Sequence, residues 1–350
     1  MKKTAVLVLF LLLVPAGLGY AWAQEAQGPK PRRTVVTLDG KLEDVPDLTP
    51  TDFELEIAKQ KTAPARVIRP TELPTLIAVV LQDNQVSEFS RQLPALRDFI
   101  ISQPPNTYVG LFYFSVQSIQ TAFPFHSDLQ KVANALRAPH GTREMAPPSP
   151  YNNLTQLIEG MAALPDARKE ILIFTEGSDA LSGATSASQN QNLRQAISAA
   201  QEAGIPVFAV YTDALPPVNR TTNYTSPVAG SVPDRGSPIQ PSYSPAGGTD
   251  RSSSGSPQFG AQTGADVFRP EAGDRPPAQY NISYLNDMTE RTGGKVFSPG
   301  KIPPDITPYL AEFQRLLRQQ VILEYSGPET VKRVKLKRKL GSAKLLAPKR

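Results

Sequence analysis

Side chains that can hold a charge or a proton gather where apolar runs end. Asp83-Asn84-Gln85-Val86-Ser87 follows the run Thr75–Leu81, and Glu176-Gly177 follows Ile171–Phe174 and Thr175. Thr155 sits at the entry to a helical pattern that continues through Leu157, Ile158 and Met161. Taken by themselves these residue types do turn and cap chemistry. Ser87 suits the N-cap of a helix beginning at Glu88, whose charge is favourable at a helix N-terminus. Asp83 suits bonding to the amides of its own turn, and Glu176-Gly177 suits a tight turn. Thr155 reads as an ordinary helical surface residue.

Acid–base and nucleophilic chemistry have little to work with. The chain has two histidines and no cysteine. His126 and His140 lie in Pro-flanked stretches and read as loop or surface residues. No Gly-x-Ser-x-Gly elbow, phosphate loop, His-Glu-x-x-His pair or dinucleotide fingerprint is present in the sequence. Glu159 and Glu170 read as solvated helix and strand-entry charges, and Gly293-Gly294 as a helix C-cap and turn. The expectation is a non-catalytic protein, with a hydrolase as the least favoured class.

The elements that must position these residues alternate in type. Thr75–Leu81, Tyr108–Phe114, Ile171–Phe174 and Ile205–Tyr211 are continuous apolar runs, as strands buried on both faces require. Val116–Phe123 alternates and reads as an edge strand pairing back. Helical patterns separate the strands: Phe89–Ile100, Asp128–Ala138, Leu154–Met161 and Leu193–Ala203, the last stopped by Gly204. The order implies an α/β fold with a doubly wound, mostly parallel sheet and helices on both faces. Right-handed crossovers then bring Asp83, Thr155 and Glu176 to the carboxyl edge of the sheet, where such folds bind ligands. The core is expected to run from 74 to 213 and to be completed by 279–319. The later pieces are a helix around Tyr284–Thr289, a strand Lys295–Phe297 and a helix carrying Leu310, Phe313, Leu316 and Leu317.

Outside the core, 24–73 reads as a flexible N-terminal segment with a short strand at Thr34–Leu38 and a turn at Asp39-Gly40. Residues 320–350 read as a β-hairpin, Val321–Tyr325 with Val331–Leu340, ending in a basic tail. The two terminal pieces are expected to meet as a small β appendage. Ala214–Ala278 is rich in Pro, Ser, Gly and Thr, and reads as a disordered insertion.

Residues 1–23 have the layout of a secretory signal peptide. Lys2 and Lys3 precede an apolar run too short for a bilayer span of ~20 residues, and Ala21-Trp22-Ala23 supplies the cleavage site. Export to the periplasm, the cell surface or the medium is therefore expected, without disulfides or a lipid-bearing cysteine. The net charge of +5 is misleading. Nine Lys or Arg and no Asp or Glu lie between Lys332 and Arg350, so the remainder is net acidic. That basic end suits an anionic surface; without Tyr, Phe or Trp to stack bases it argues against nucleic acid.

Asp83–Ser87, Thr155-Gln156-Leu157-Ile158-Glu159-Gly160 and Ile171–Asp179, in this order, resemble a von Willebrand factor type A domain. With Thr292–Phe297 and Asp47–Phe53 the chain is similar to a von Willebrand type A-related family seen in Acidobacteria. The resemblance spans Val35 to Tyr325 apart from the insertion. It implies an adhesion or scaffold module that binds an extracytoplasmic protein, or a structural subunit of an envelope complex. It also implies a metal-ion-dependent adhesion site built from D-x-S-x-S, a Thr and an Asp on three loops. Here Asp83 and Ser87 match, Gln85 replaces the first Ser, Thr155 stands for the Thr and Glu176 replaces the Asp. The implied ligand set is thus Asp83, Gln85, Ser87, Thr155 and Glu176, a degenerate site for weakly bound Mg²⁺ or Mn²⁺, ions that take hard oxygen ligands.

Overall fold

The computed structural model describes residues 31–42, 45–116, 118–182, 184, 186–212, 278–297, 305–327 and 330–349. The expected leader and nearly all of the expected Ala214–Ala278 insertion lie outside the described residues. Among these residues no helix is long and apolar enough to cross a membrane.

Thirteen strands are described: β1 (Arg32–Asp39), β2 (Phe53–Ile57), β3 (Gln60–Thr62), β4 (Arg66–Ile68), β5 (Thr75–Gln82), β6 (Thr107–Phe114), β7 (Ile119–His126), β8 (Arg168–Thr175), β9 (Val207–Tyr211), β10 (Val296–Phe297), β11 (Gln320–Tyr325), β12 (Arg333–Leu336) and β13 (Lys344–Leu346). The helices are α1 (Leu93–Ile101), α2 (Leu129–Asn134), α3 (Pro150–Ala162), α4 (Gln191–Ala203), α5 (Ala278–Thr292) and α6 (Thr307–Arg318).

The core sheet has the order β10-β9-β8-β5-β6-β7. All its pairings are parallel except β6–β7. β5 is central and buried along its whole length. Its alternate residues serve two cores. Ile77, Val79 and Leu81 pack with α1, α2 and α6, while Ala78 and Val80 pack with α3, α4 and α5. Helices thus cover both faces, and this is the doubly wound α/β fold that the strand–helix alternation predicts. Because β5 is flanked by β6 on one side and β8 on the other, chain direction around the sheet reverses there. The carboxyl ends of β5 and β8 therefore mark the topological switch point of the sheet.

The helix boundaries have local causes. Asn190 caps α4 by accepting the Leu193 N–H at 2.9 Å. Gly204 ends that helix in the left-handed region, φ +65°. Pro150 occupies the first turn of α3, where its missing N–H is not needed.

The appendage is larger than expected. One sheet has the order β13-β1-β11-β4 and a second has β12-β2-β3. They enclose a shared core of Val36, Phe53, Leu55, Val321, Leu323, Tyr325 and Val334. β1 and β11 pair antiparallel, Thr34 opposite Leu323, so the segments before and after the core do meet. The expected hairpin is not formed: β11 pairs with β1 and β4, whereas β12 pairs with β2 in the other sheet. The segment before the core is also structured, with β1–β4 inside these sheets, and the basic end supplies β12 and β13. Charges join appendage to core: Asp39 of β1 meets Arg315 of α6 at 2.6 Å and Lys295 at 3.0 Å.

Candidate functional site

Asp83 follows β5 directly and is 0% exposed. Its carboxylate is held from another loop. Arg137 donates Nη1 to Oδ1 at 2.8 Å and Nη2 to Oδ2 at 3.0 Å. The His140 backbone N–H reaches Oδ1 at 3.0 Å, and His140 Nδ1 lies 2.7 Å from Oδ2. The Asp83 carbonyl accepts the Gly141 N–H at 3.1 Å. Burial alone would raise the Asp83 pKa, but the bonds from Arg137 and His140 outweigh it and hold the group below its usual value. The loop after α2 thus clasps the end of β5. His140, read from sequence as a loop or surface residue, is half-exposed and takes part in that clasp.

Gln85, Ser87 and Thr155 make contacts of their own. Gln85 is buried, and its amide donates to the Phe174 carbonyl at 3.3 Å. Ser87 caps nothing: the 3-10 turn Ser87–Gln92 starts at this residue, and its hydroxyl donates to the Glu88 carboxylate at 3.1 Å. Thr155 lies in the second turn of α3, where its hydroxyl donates back to the Tyr151 carbonyl at 3.0 Å. The residue at the entry to α3 is Ser149, buried, with Pro150 following. Glu176 is half-buried beyond the end of β8. Beside it, Thr175 Oγ1 donates to Gln82 Oε1 and accepts the Gly177 N–H at 2.9 Å, tying β8 to β5.

Asp83 itself is not open to a divalent ion in this arrangement. An ionised carboxylate has about four lone-pair positions, and four donors already lie on Asp83. The arrangement fixes loops instead. The Ala180 N–H donates to the Pro148 carbonyl at 2.9 Å, and the Tyr151 hydroxyl to the Gly177 carbonyl at 2.8 Å. Burial, then the nearby Asp179 charge, pushes the Tyr151 pKa well above its usual value, so this hydroxyl stays a donor. Asp179 accepts the Leu181 N–H at 3.1 Å and the Asn192 amide at 3.1 Å. Leu181, 62% exposed, stands out from that braced loop.

Arg137, His140, Ser149 and Leu181 were not singled out as site residues from the sequence. Arg137 lies 54 positions from Asp83, and no local pattern connects them. Ser149 had a usable signal, a Ser-Pro pair opening a helix.

No protein-family description matches the sequence, and no curated protein matches it. Solved structures resemble it in part. An aerotolerance-related membrane protein from Bacteroides fragilis, carrying multiple mutations to serine, is 11% identical, with 69% of this chain and 97% of that one covered and a TM-score of 0.37. BatB from Bacteroides thetaiotaomicron is 14% identical over 39% of this chain and 64% of its own, with a TM-score of 0.29. The SpRpn10 VWA domain is 12% identical over 39% of this chain and 74% of its own, with a TM-score of 0.30.

Proposed function

We propose that this chain is an exported, non-catalytic module that binds a protein partner on the loop edge above the carboxyl ends of β5 and β8. The observation that carries this reading is the construction of that edge. Loops after β5, α2 and β8 and before α3 are braced by buried and partly buried polar contacts, and Leu181 is held outward on the braced rim. A fixed polar rim around a presented apolar side chain is how protein-binding surfaces are commonly built. Asp83 offers no open coordination, so docking proceeds through shape, hydrogen bonds and Leu181 rather than through a bridging metal. The leader-like first 23 residues support export. A second contact is favoured by exposed Arg333 and Lys335 on β12, followed by exposed Lys337, Arg338 and Lys339. This strip suits an anionic envelope surface.

Affinity capture from an envelope extract, with the purified chain as bait, tests the reading. Leu181→Asp should lose the proteins retained by the wild type while melting at the same temperature. Equal retention by both would move the binding surface elsewhere.

A further inference from the structure

The Asp83 clasp is fixed on the arginine side as firmly as on the carboxylate side. The Arg137 guanidinium carbon lies 3.9 Å above the centre of the Tyr113 ring, a favourable place for a cation. The Tyr113 hydroxyl accepts the Arg137 backbone N–H at 3.0 Å and donates to the Arg137 carbonyl at 2.7 Å. Tyr113 therefore grips the backbone of the residue whose side chain covers its ring. The guanidinium also donates to the Ala138 carbonyl at 3.0 Å and to Gln120 Oε1 at 3.2 Å. One cation thus joins the end of β5 to β6, β7 and the loop after α2.

We infer that Arg137 is the resident cation of this loop edge, neutralising buried Asp83 and assembling the surrounding loops without any divalent ion. The inference does not depend on what the edge binds. Removing Arg137 leaves a carboxylate buried with too few partners, which is more damaging than removing both members of the pair. Lysine keeps the charge but not the two-pronged fit.

Thermal melts of the full chain decide the matter. The wild type should melt at one temperature in millimolar Mg²⁺, Mn²⁺ or EDTA. Arg137→Met should melt lower by on the order of 5–10 °C, with Arg137→Lys between. The double variant Arg137→Met with Asp83→Asn should regain a substantial part of that loss. Circular dichroism of each variant at low temperature verifies that it is folded before melting. Should Arg137→Met fail to fold, the lysine variant and the wild-type metal series carry the test. A metal-dependent rise of the wild-type melt that disappears in Asp83→Asn overturns the inference. So does an Arg137→Met or Arg137→Lys protein as stable as wild type, or a double variant no better than Arg137→Met.

Discussion

Glu170→Gln should change how stability depends on pH, and the structure sets the size. Glu170 begins the buried part of β8, opposite Ile77 of β5, and is 0% exposed. Neither carboxyl oxygen has a hydrogen bond of good geometry, the Gln320 amide being the nearby polar group. Arg168 lies two residues earlier on the same face, but its guanidinium is directed to the Leu317 carbonyl at 2.6 Å, Thr75 Oγ1 at 2.9 Å and Gln320 Oε1 at 3.1 Å. Burial therefore dominates, Arg168 and then Gln320 offset it only in part, and the pKa rises from 4.5 to about 8. A raised carboxyl pKa means that the folded protein holds a proton the unfolded chain releases. The stabilisation is complete below about 4.5 and is lost as pH rises through about 8. At roughly 1.4 kcal/mol per pH unit, the whole window is worth at most about 5 kcal/mol. Glutamine copies the protonated form. Urea unfolding of both proteins from pH 5 to 9 should give curves that nearly meet at the acid end. They should diverge upward, with the variant the more stable protein at pH 9. A flat difference, with Glu170→Gln the weaker protein throughout, would refute this reasoning and make Glu170 an ionised partner of Arg168.

Two further variants test the backbone. The turn between β2 and β3 places Ala58 at φ +50° and Lys59 at φ +67°, so Ala58→Asn with Lys59→Gly should stabilise the protein by about 0.5–1 kcal/mol in denaturant titrations. A Cβ on Gly294 would lie 1.9 Å from the Val207 carbonyl oxygen; Gly294→Ala should therefore cost roughly 3 kcal/mol or more, seen as a lowered melting temperature.

The core was legible because burial on both faces leaves its mark in each strand separately. Ile77 to Leu81 must be apolar throughout, whichever helices cover them. Pairing within the appendage was not legible. β2, β3, β4, β12 and β13 are three to five residues long, and their partners are set by contacts far along the chain. β11 and β12 are neighbours in sequence, yet each finds its partner in the N-terminal segment, so proximity along the chain misled. Glu170 read as a solvated strand-entry charge because a charged residue preceding an apolar run marks the start of a strand. The local pattern holds no sign that α6 and β11 close over that end through Leu317 and Gln320. At the loop edge the position of Asp83 was legible from the strand before it. Its chemistry was not, because the deciding partner, Arg137, comes from the loop after α2.

The most direct measurement of the central claim is partner capture by the full chain in Mg²⁺ and in EDTA, with wild type and Leu181→Asp run side by side. Equal capture by the wild type in both buffers, with loss in Leu181→Asp, is the predicted result. Capture that vanishes with EDTA, or that is indifferent to Leu181, would contradict a metal-free loop edge as the binding surface.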